Sequence, residues 1–380
     1  MKISLDRIDT NFNPQGNECW VHARAGMFPD GRAVMTAQRL RLTGSDIFSG
    51  LSCFSSNDGG RHWSAPVFQP GLARRPWGDG MEIAMCDATP MFHRRSGRML
   101  LTGHTVIYDD QDEIMAPPRP RATAWSVYDE TAGAWSEFKL LEMPGADSAF
   151  FNCGSGCGQC VERDDGSLLL PVYSMTKEES LQPWENCFKA AVIRCSFDGR
   201  ELKFLEIGNS FTVPEPRGFC EPSLFGFGGR FFLTLRNDVR GYVAASDDGL
   251  TFEAPKPWRF DDGEELGSYC TQQHWLSVGD ALCLVYTRRG AGNDHVFRHR
   301  APLFVAEVDP ERLCVLRKSE RVAVPERGAR LGNFGCLQIS PAEAWVVAAE
   351  WMQNGPGPAG VELCRKHGSD NSIFIAKITE

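Results

Sequence analysis

One stretch of this chain sets a carboxylate against a guanidinium. Glu221 and Arg236 lie within GFCEPSLFGFGGRFFLTLRND, from Gly218 to Asp238. The stretch reads as two short strands joined by a glycine turn at Gly226, Gly228 and Gly229, with Glu221 opening the first strand and Arg236 closing the second. The ends of a hairpin lie side by side, so the acid and the arginine are predicted to meet at one edge of a sheet. Apolar neighbours bury that pair, which makes it either a structural ion pair or part of a site. Further groups able to move protons are scattered along the chain. His22 precedes Arg24 by two, which puts both on one face of a strand. His104, His274 and the pair His295 and His299 around Arg298 add imidazoles, and Asp87 opens a later strand pair. Each histidine taken alone reads as a hydrogen-bonding structural residue, but five near loop ends suggest acid/base chemistry.

Cys153, Cys157 and Cys160 form C-x3-C-x2-C, a spacing able to hold an iron–sulfur cluster or zinc. The intervening Gly154, Gly156 and Gly158 fit a tight inner strand equally well, and packing is the preferred reading, with no metal and no cofactor expected.

The elements that must position these groups repeat. An apolar strand, a turn with Gly or Asp and a second apolar strand recur at Met27, Met91, Cys160, Leu224, Trp275 and Leu337. Each copy is followed by a third strand, in GLSCFSSNDGG, RATAWSVYDE, KAAVIRCSFDG, RGYVAASDDG, APLFVAEVDP and NSIFIAKITE. Six such sheets arranged radially make an all-β, six-bladed β-propeller of four-stranded antiparallel blades. A blade cannot bury both faces alone, so the stack forms one core, and residues 1–380 read as a single domain. The N-terminal ISLDRI is placed to add a strand to the last blade and close the ring.

Composition agrees. The 380 residues include 38 Gly and 23 Pro, which suits short strands and tight turns more than a helical bundle. The formal charge of −9 is evenly spread, without the basic patch that nucleic acid requires. An acidic shell repels anions at long range, so any anion must be captured by local arginines. No apolar run spans a bilayer, MKISLDRIDTNF lacks the apolar centre of a signal peptide, and a cytoplasmic location is the expectation.

Two third strands end in a sharper pattern. Ser56 to Trp63 reads SNDGGRHW, and Ser246 to Phe252 reads SDDGLTF. An Asp that accepts turn N–H bonds, a Gly at positive φ and an aromatic beneath make a self-capped turn. These turns resemble the Asp box, or BNR repeat, of the sialidase (neuraminidase) superfamily, and six blades match that fold along nearly the whole chain. The resemblance implies an exo-acting glycoside hydrolase for an acidic sugar such as a sialic acid, with carbohydrate as the only partner and neither nucleic acid nor membrane involved. It assigns the carboxylate-binding arginines to Arg24, Arg236 and Arg300, the acid/base to Asp46 in LTGSDIFSG, and the conserved glutamate to Glu221. Three planar guanidiniums can each give parallel bonds to a carboxylate, which lysine cannot. The family's tyrosine nucleophile has no counterpart, since Phe334 stands in its place. Either Glu221, Tyr269 or Tyr286 is then left to attack, or Glu221 directs water, or the substrate is not a sialic acid, while His22, Asp87, His104 and His274 join the arginines in substrate binding. A polysaccharide lyase on a propeller, or a carbohydrate-binding propeller without chemistry, are the alternatives.

Overall fold

A computed structural model describes every residue except Ser45 and Pro356. Six antiparallel sheets of four to six strands form a ring, a six-bladed β-propeller. The first blade runs Glu18–Met27, Ala33–Arg41, Phe48–Ser56 and Val67–Phe68. The inner strands of the next four are Met81–His93, Asn152–Gly154, Cys220–Phe227 and His274–Val278. The sixth blade is Gly335–Ser340, Glu343–Ala349, Ile373–Thr379 and the N-terminal Lys2–Ile8. Lys2 pairs with Thr379 and Ile8 with Ile373, so the start of the chain closes the ring at its end.

Strands near the axis are buried on both faces because blades stack on either side of them. Leu168–Met175 is buried throughout, whereas the outermost Val67–Phe68 of the first blade is exposed. The packing repeats from blade to blade as successive apolar clusters, for example Met85, Met99 and Leu101 with Val34 and Cys53, then Leu170, Val172 and Ile193 with Leu100. Gly60, at φ 70°, lets one blade-edge turn press onto the next blade: an added Cβ would lie 2.2 Å from the Trp345 ring.

The two aspartate turns are self-contained. Asp58 Oδ1 accepts from the backbone N–H groups of Arg61 (3.1 Å) and His62 (3.0 Å), and Ser56 Oγ accepts from that of Gly60. Asp248 does the same for Leu250 (2.8 Å) and Thr251 (2.6 Å). Both turns lie at blade ends, and neither aspartate lines the hub cavity.

The feature that builds the hub is a bulge repeated on the inner strands. Pairing slips between Val21 and Arg24, between Cys86 and Thr89, and between Cys220 and Ser223. At each slip one residue adopts positive φ: His22 (57°), Asp87 (52°) and Glu221 (45°). Cys157 (71°) and Cys270 (52°) do so on the third and fifth blades. A bulge re-aims a side chain at the expense of local pairing, and left-handed backbone at a non-glycine costs about 1–3 kcal/mol. Of these five residues, Asp87 and Glu221 present their carboxylates to the hub cavity.

Candidate active site at the hub

The hub opens into a cavity of about 350 Å³. Its lining is cationic, with Arg119, Arg121, Arg217, Arg236, Arg298, Arg300 and Arg330 set against Asp46, Asp87 and Glu221. The acidic exterior therefore encloses a basic centre, and such a cleft favours anions.

Glu221 and Arg236 meet as the hairpin geometry requires. Cys220 pairs with Arg236 across the strands, and Arg236 Nη1 donates to Glu221 Oε1. The other oxygen, Oε2, is buried without a partner among the described residues. Arg236 Nη2 reaches the Cys270 sulfur at 3.7 Å, while Arg300 Nη2 donates to the Cys270 carbonyl at 2.5 Å and Nη1 to Asn333 Oδ1 at 3.3 Å. These two guanidiniums thus converge on one residue, Cys270, each with an unpartnered Nε. Burial, then repulsion from Arg236, lowers Arg300 to about 10; burial, then Arg300, lowers Arg330 to about 9.

Arg24 is placed differently. It is 1% exposed and does not line the cavity. Its Nη2 lies 3.4 Å from Asp87 Oδ1 and 3.0 Å from Gln272 Oε1. Asp87 faces the cavity and is ringed by cationic or potentially cationic groups: Arg24, His22 Nδ1 at 3.3 Å and His104 Nε2 at 3.6 Å. Burial works to raise the Asp87 carboxyl, but these neighbours outweigh it and hold the group well below the usual carboxylate range. The imidazoles respond in the other direction. Burial, then Arg121, lowers His104 to about 3, so it is neutral at pH 7. His22, lowered chiefly by burial, sits between Phe48 and Trp351 and bonds Asn333. His274 is also lowered by burial, to about 3, and is held by Ser223 and Gln272 away from the cavity.

Asp46 is exposed at the cavity wall, with its carbonyl accepting from the Tyr108 hydroxyl at 2.8 Å. Phe334 is fully buried against His274. Tyr269 bonds His299 and Tyr286 bonds Glu320; neither lines the cavity. His295 lies beside Glu326, outside the lining.

A tyrosine that the sequence did not single out does reach the cavity. Tyr173, on Leu168–Met175, places its hydroxyl 3.5 Å from His104 Nδ1, with the Arg121 guanidinium 4.9 Å from the ring centre. Burial raises its phenol well above the ordinary value, so it keeps its proton at pH 7. Arg119 and Arg121 were also missed; the available signal was their interleaving with Pro117, Pro118 and Pro120 in an acidic chain. The glycines of the cysteine segment now have a reason. A Cβ on Gly156 would lie 1.8 Å from His104 Nδ1, and one on Gly154 would lie 2.6 Å from His104 Cβ and 2.9 Å from Arg121 Cδ. The three thiols take separate surroundings: Cys160 meets Met91, Cys157 faces Asp87 and Cys153 packs among Leu170, Val172 and Trp125. Burial pushes Cys153 up to about 12, where it stays protonated.

No family model matches this sequence, and no curated protein matches it. Solved structures do match it in shape. A protein of unknown function from Dyadobacter fermentans superposes with a TM-score of 0.68 at 15% identity, covering 99% of each chain. Trypanosoma rangeli sialidase in complex with sialic acid gives 0.63 at 13% identity, over 99% of this chain and 59% of that one. The Hadza microbial sialidase Hz136 gives 0.60 at 10%, over 95% and 66%. The likeness is one of fold. The present chain spans 59% of the length of the Trypanosoma enzyme, and a shared fold does not by itself carry a function.

Proposed function

We propose that the hub cavity binds a carboxylated sugar and hydrolyses its glycosidic bond, as an exo-acting, sialidase-like glycoside hydrolase. The observation that carries this reading is the convergence of Arg236 and Arg300 on Cys270, next to a glutamate with one free oxygen. The two guanidiniums take the substrate carboxylate in parallel hydrogen bonds. Asp46, at the cavity wall, gives its proton to the leaving oxygen as the bond to the anomeric carbon breaks. Glu221 Oε2 attacks that carbon or directs water onto it, and the Asp46 carboxylate recovers a proton from the incoming water. Release of the fluorophore from a methylumbelliferyl sialoside tests the scheme. Loss of that release in Glu221→Gln and in Arg236→Ala is expected; robust turnover by both removes the assignment.

Tyr173 favours a second reading, β-elimination from a uronate. A neutral His104 beside a protonated phenol beneath an arginine is an acid/base pair suited to a lyase. His104 would take the proton on the carbon next to the carboxylate. The C–H electrons would form the double bond, and Tyr173 would protonate the departing oxygen. An unsaturated sugar absorbing in the ultraviolet, formed by the native chain and not by Tyr173→Phe, would select this reading over hydrolysis.

A further inference from the structure

The cavity holds more positive charge than one carboxylate can use. Of the arginines lining it, Arg236 is paired with Glu221 and Arg217 with Asp238. Among the described residues, Arg119, Arg121, Arg298, Arg300 and Arg330 have no carboxylate within 4.0 Å. Four of these five unpaired groups fall into two sets on different parts of the ring. Arg300 and Arg330 sit beside Arg236 and repel one another. Arg119 and Arg121 stand on the segment between Arg98–Tyr108 and Thr123–Asp129, in the second blade, and also repel one another. Both sets keep buried, unpartnered N–H groups: Nε of Arg300 and Arg330 in one, Nε of Arg119 and Nη1 of Arg121 in the other.

The second set is built to stay where it is. Arg121 N donates to the Phe151 carbonyl (3.1 Å), and Asn152 Nδ2 holds the Arg119 carbonyl (3.0 Å). The Arg121 guanidinium is braced over the rings of Tyr173 (4.9 Å) and Phe188 (5.9 Å). Neither the Arg119 nor the Arg121 guanidinium has a carboxylate in contact among the described residues, and both keep N–H groups free for an anion. A carboxylate offers about four acceptor sites, which Arg236, Arg300 and Arg330 on one side of the hub can fill between them.

We propose that Arg119 and Arg121 form a second anion subsite, and that the substrate is an oligosaccharide with an anionic group, carboxylate or sulfate, on each of two sugars. Trp184, 73% exposed at the cavity wall with Arg217 5.6 Å from its ring centre, offers the second sugar a face to stack on. This inference rests on the reading of the cavity as a site for a carboxylated sugar.

Calorimetric titration of the intact chain tests it. The probes are sialic acid against its α2,8-linked dimer, galacturonic acid against digalacturonic acid, and an unsulfated chondroitin disaccharide against its sulfated form. At least one doubly anionic probe should bind tenfold or more tightly than its singly anionic counterpart, and the identity of that probe distinguishes carboxylate from sulfate. Arg119→Ala and Arg121→Gln should each reduce that gain toward unity, while Arg300→Ala weakens both members of the pair. Two variants guard against one that misfolds. A gain that is absent in the native chain, or that survives both variants, overturns the second subsite and leaves the first intact. Failure of every probe, singly or doubly charged, overturns the underlying reading and the subsite with it.

Discussion

Two sides of the same hub use charged residues in opposite ways. Around Asp87 the charges are matched one to one: the Arg24 guanidinium lies against the carboxylate, the imidazoles of His22 and His104 complete its surround as polar contacts, and Arg24 is shut away from solvent. Around Arg300 they are left open: Arg236, Arg300 and Arg330 crowd together, and the acids Glu221 and Asp238 both pair with Arg236, so that Arg300 and Arg330 have no carboxylate partner among the described residues. The closed side is self-neutralising and therefore structural in energy, whatever else it does. The open side is frustrated until an anion arrives. Removing a charge should consequently damage folding on one side and ligand capture on the other.

The largest effect expected is at the closed side. Asp87→Asn leaves the enclosed Arg24 without its counter-charge, and breaking a buried pair in this way costs about 3–5 kcal/mol. Urea unfolding should register that loss; an unchanged midpoint would erase the distinction between the two sides. At the open side, Arg300→Ala should weaken binding of a carboxylated sugar by about 2–5 kcal/mol, thirtyfold or more, with the melting temperature unchanged or raised because repulsion is relieved. A variant that binds normally but melts early would reverse the roles.

Acidity separates the sides next. His104 has its folded value lowered to about 3 from an ordinary 6.5, so the folded state resists a proton that the unfolded chain accepts. Its penalty is absent above pH 6.5, begins as pH falls below that value, and amounts to about 2 kcal/mol at pH 5. His274, lowered in the same way, acts over the same window. Asp87, held low, adds stability that is complete above the ordinary carboxylate range and is lost only as pH falls toward its depressed folded value. Stability measured against pH should therefore begin to fall near 6.5, and His104→Gln should flatten the upper part of that fall. The smallest effect lies outside the hub, in the turns. Asp58→Ala removes the carboxylate's bonds to the Arg61 and His62 N–H groups, the Ser56 hydroxyl and the His62 ring, and should cost about 1 kcal/mol in thermal unfolding without touching ligand binding.

The hub also explains which parts of the site were legible in advance. Glu221 and Arg236 were, because a hairpin of known length puts its two ends together. Arg24 was expected beside Arg236 and Arg300, and strand alternation places it near the axis; the bulge at His22 turned it behind Asp87 instead. Tyr173 gave no signal, since a tyrosine within PVYS reads as one more buried strand residue. Only its proximity to His104, sixty-nine positions earlier, marks it out.

The six-bladed architecture was readable from the chain alone, because strand alternation, Asp-Gly turns and their repetition are properties of residues adjacent in sequence. Closure of the ring by the first strand was an expectation of place alone, and the pairing of Lys2–Ile8 with Ile373–Thr379 meets it. Which guanidiniums retain a counter-charge depends on groups brought together from different blades: Arg121 from the second, Tyr173 from the third, Arg236 from the fourth, Arg300 from the fifth. Closure of the ring and the bulges at His22, Asp87 and Glu221 decide those meetings, and no local pattern encodes them, because the electrostatic balance of a site is a sum over partners that are near only in space.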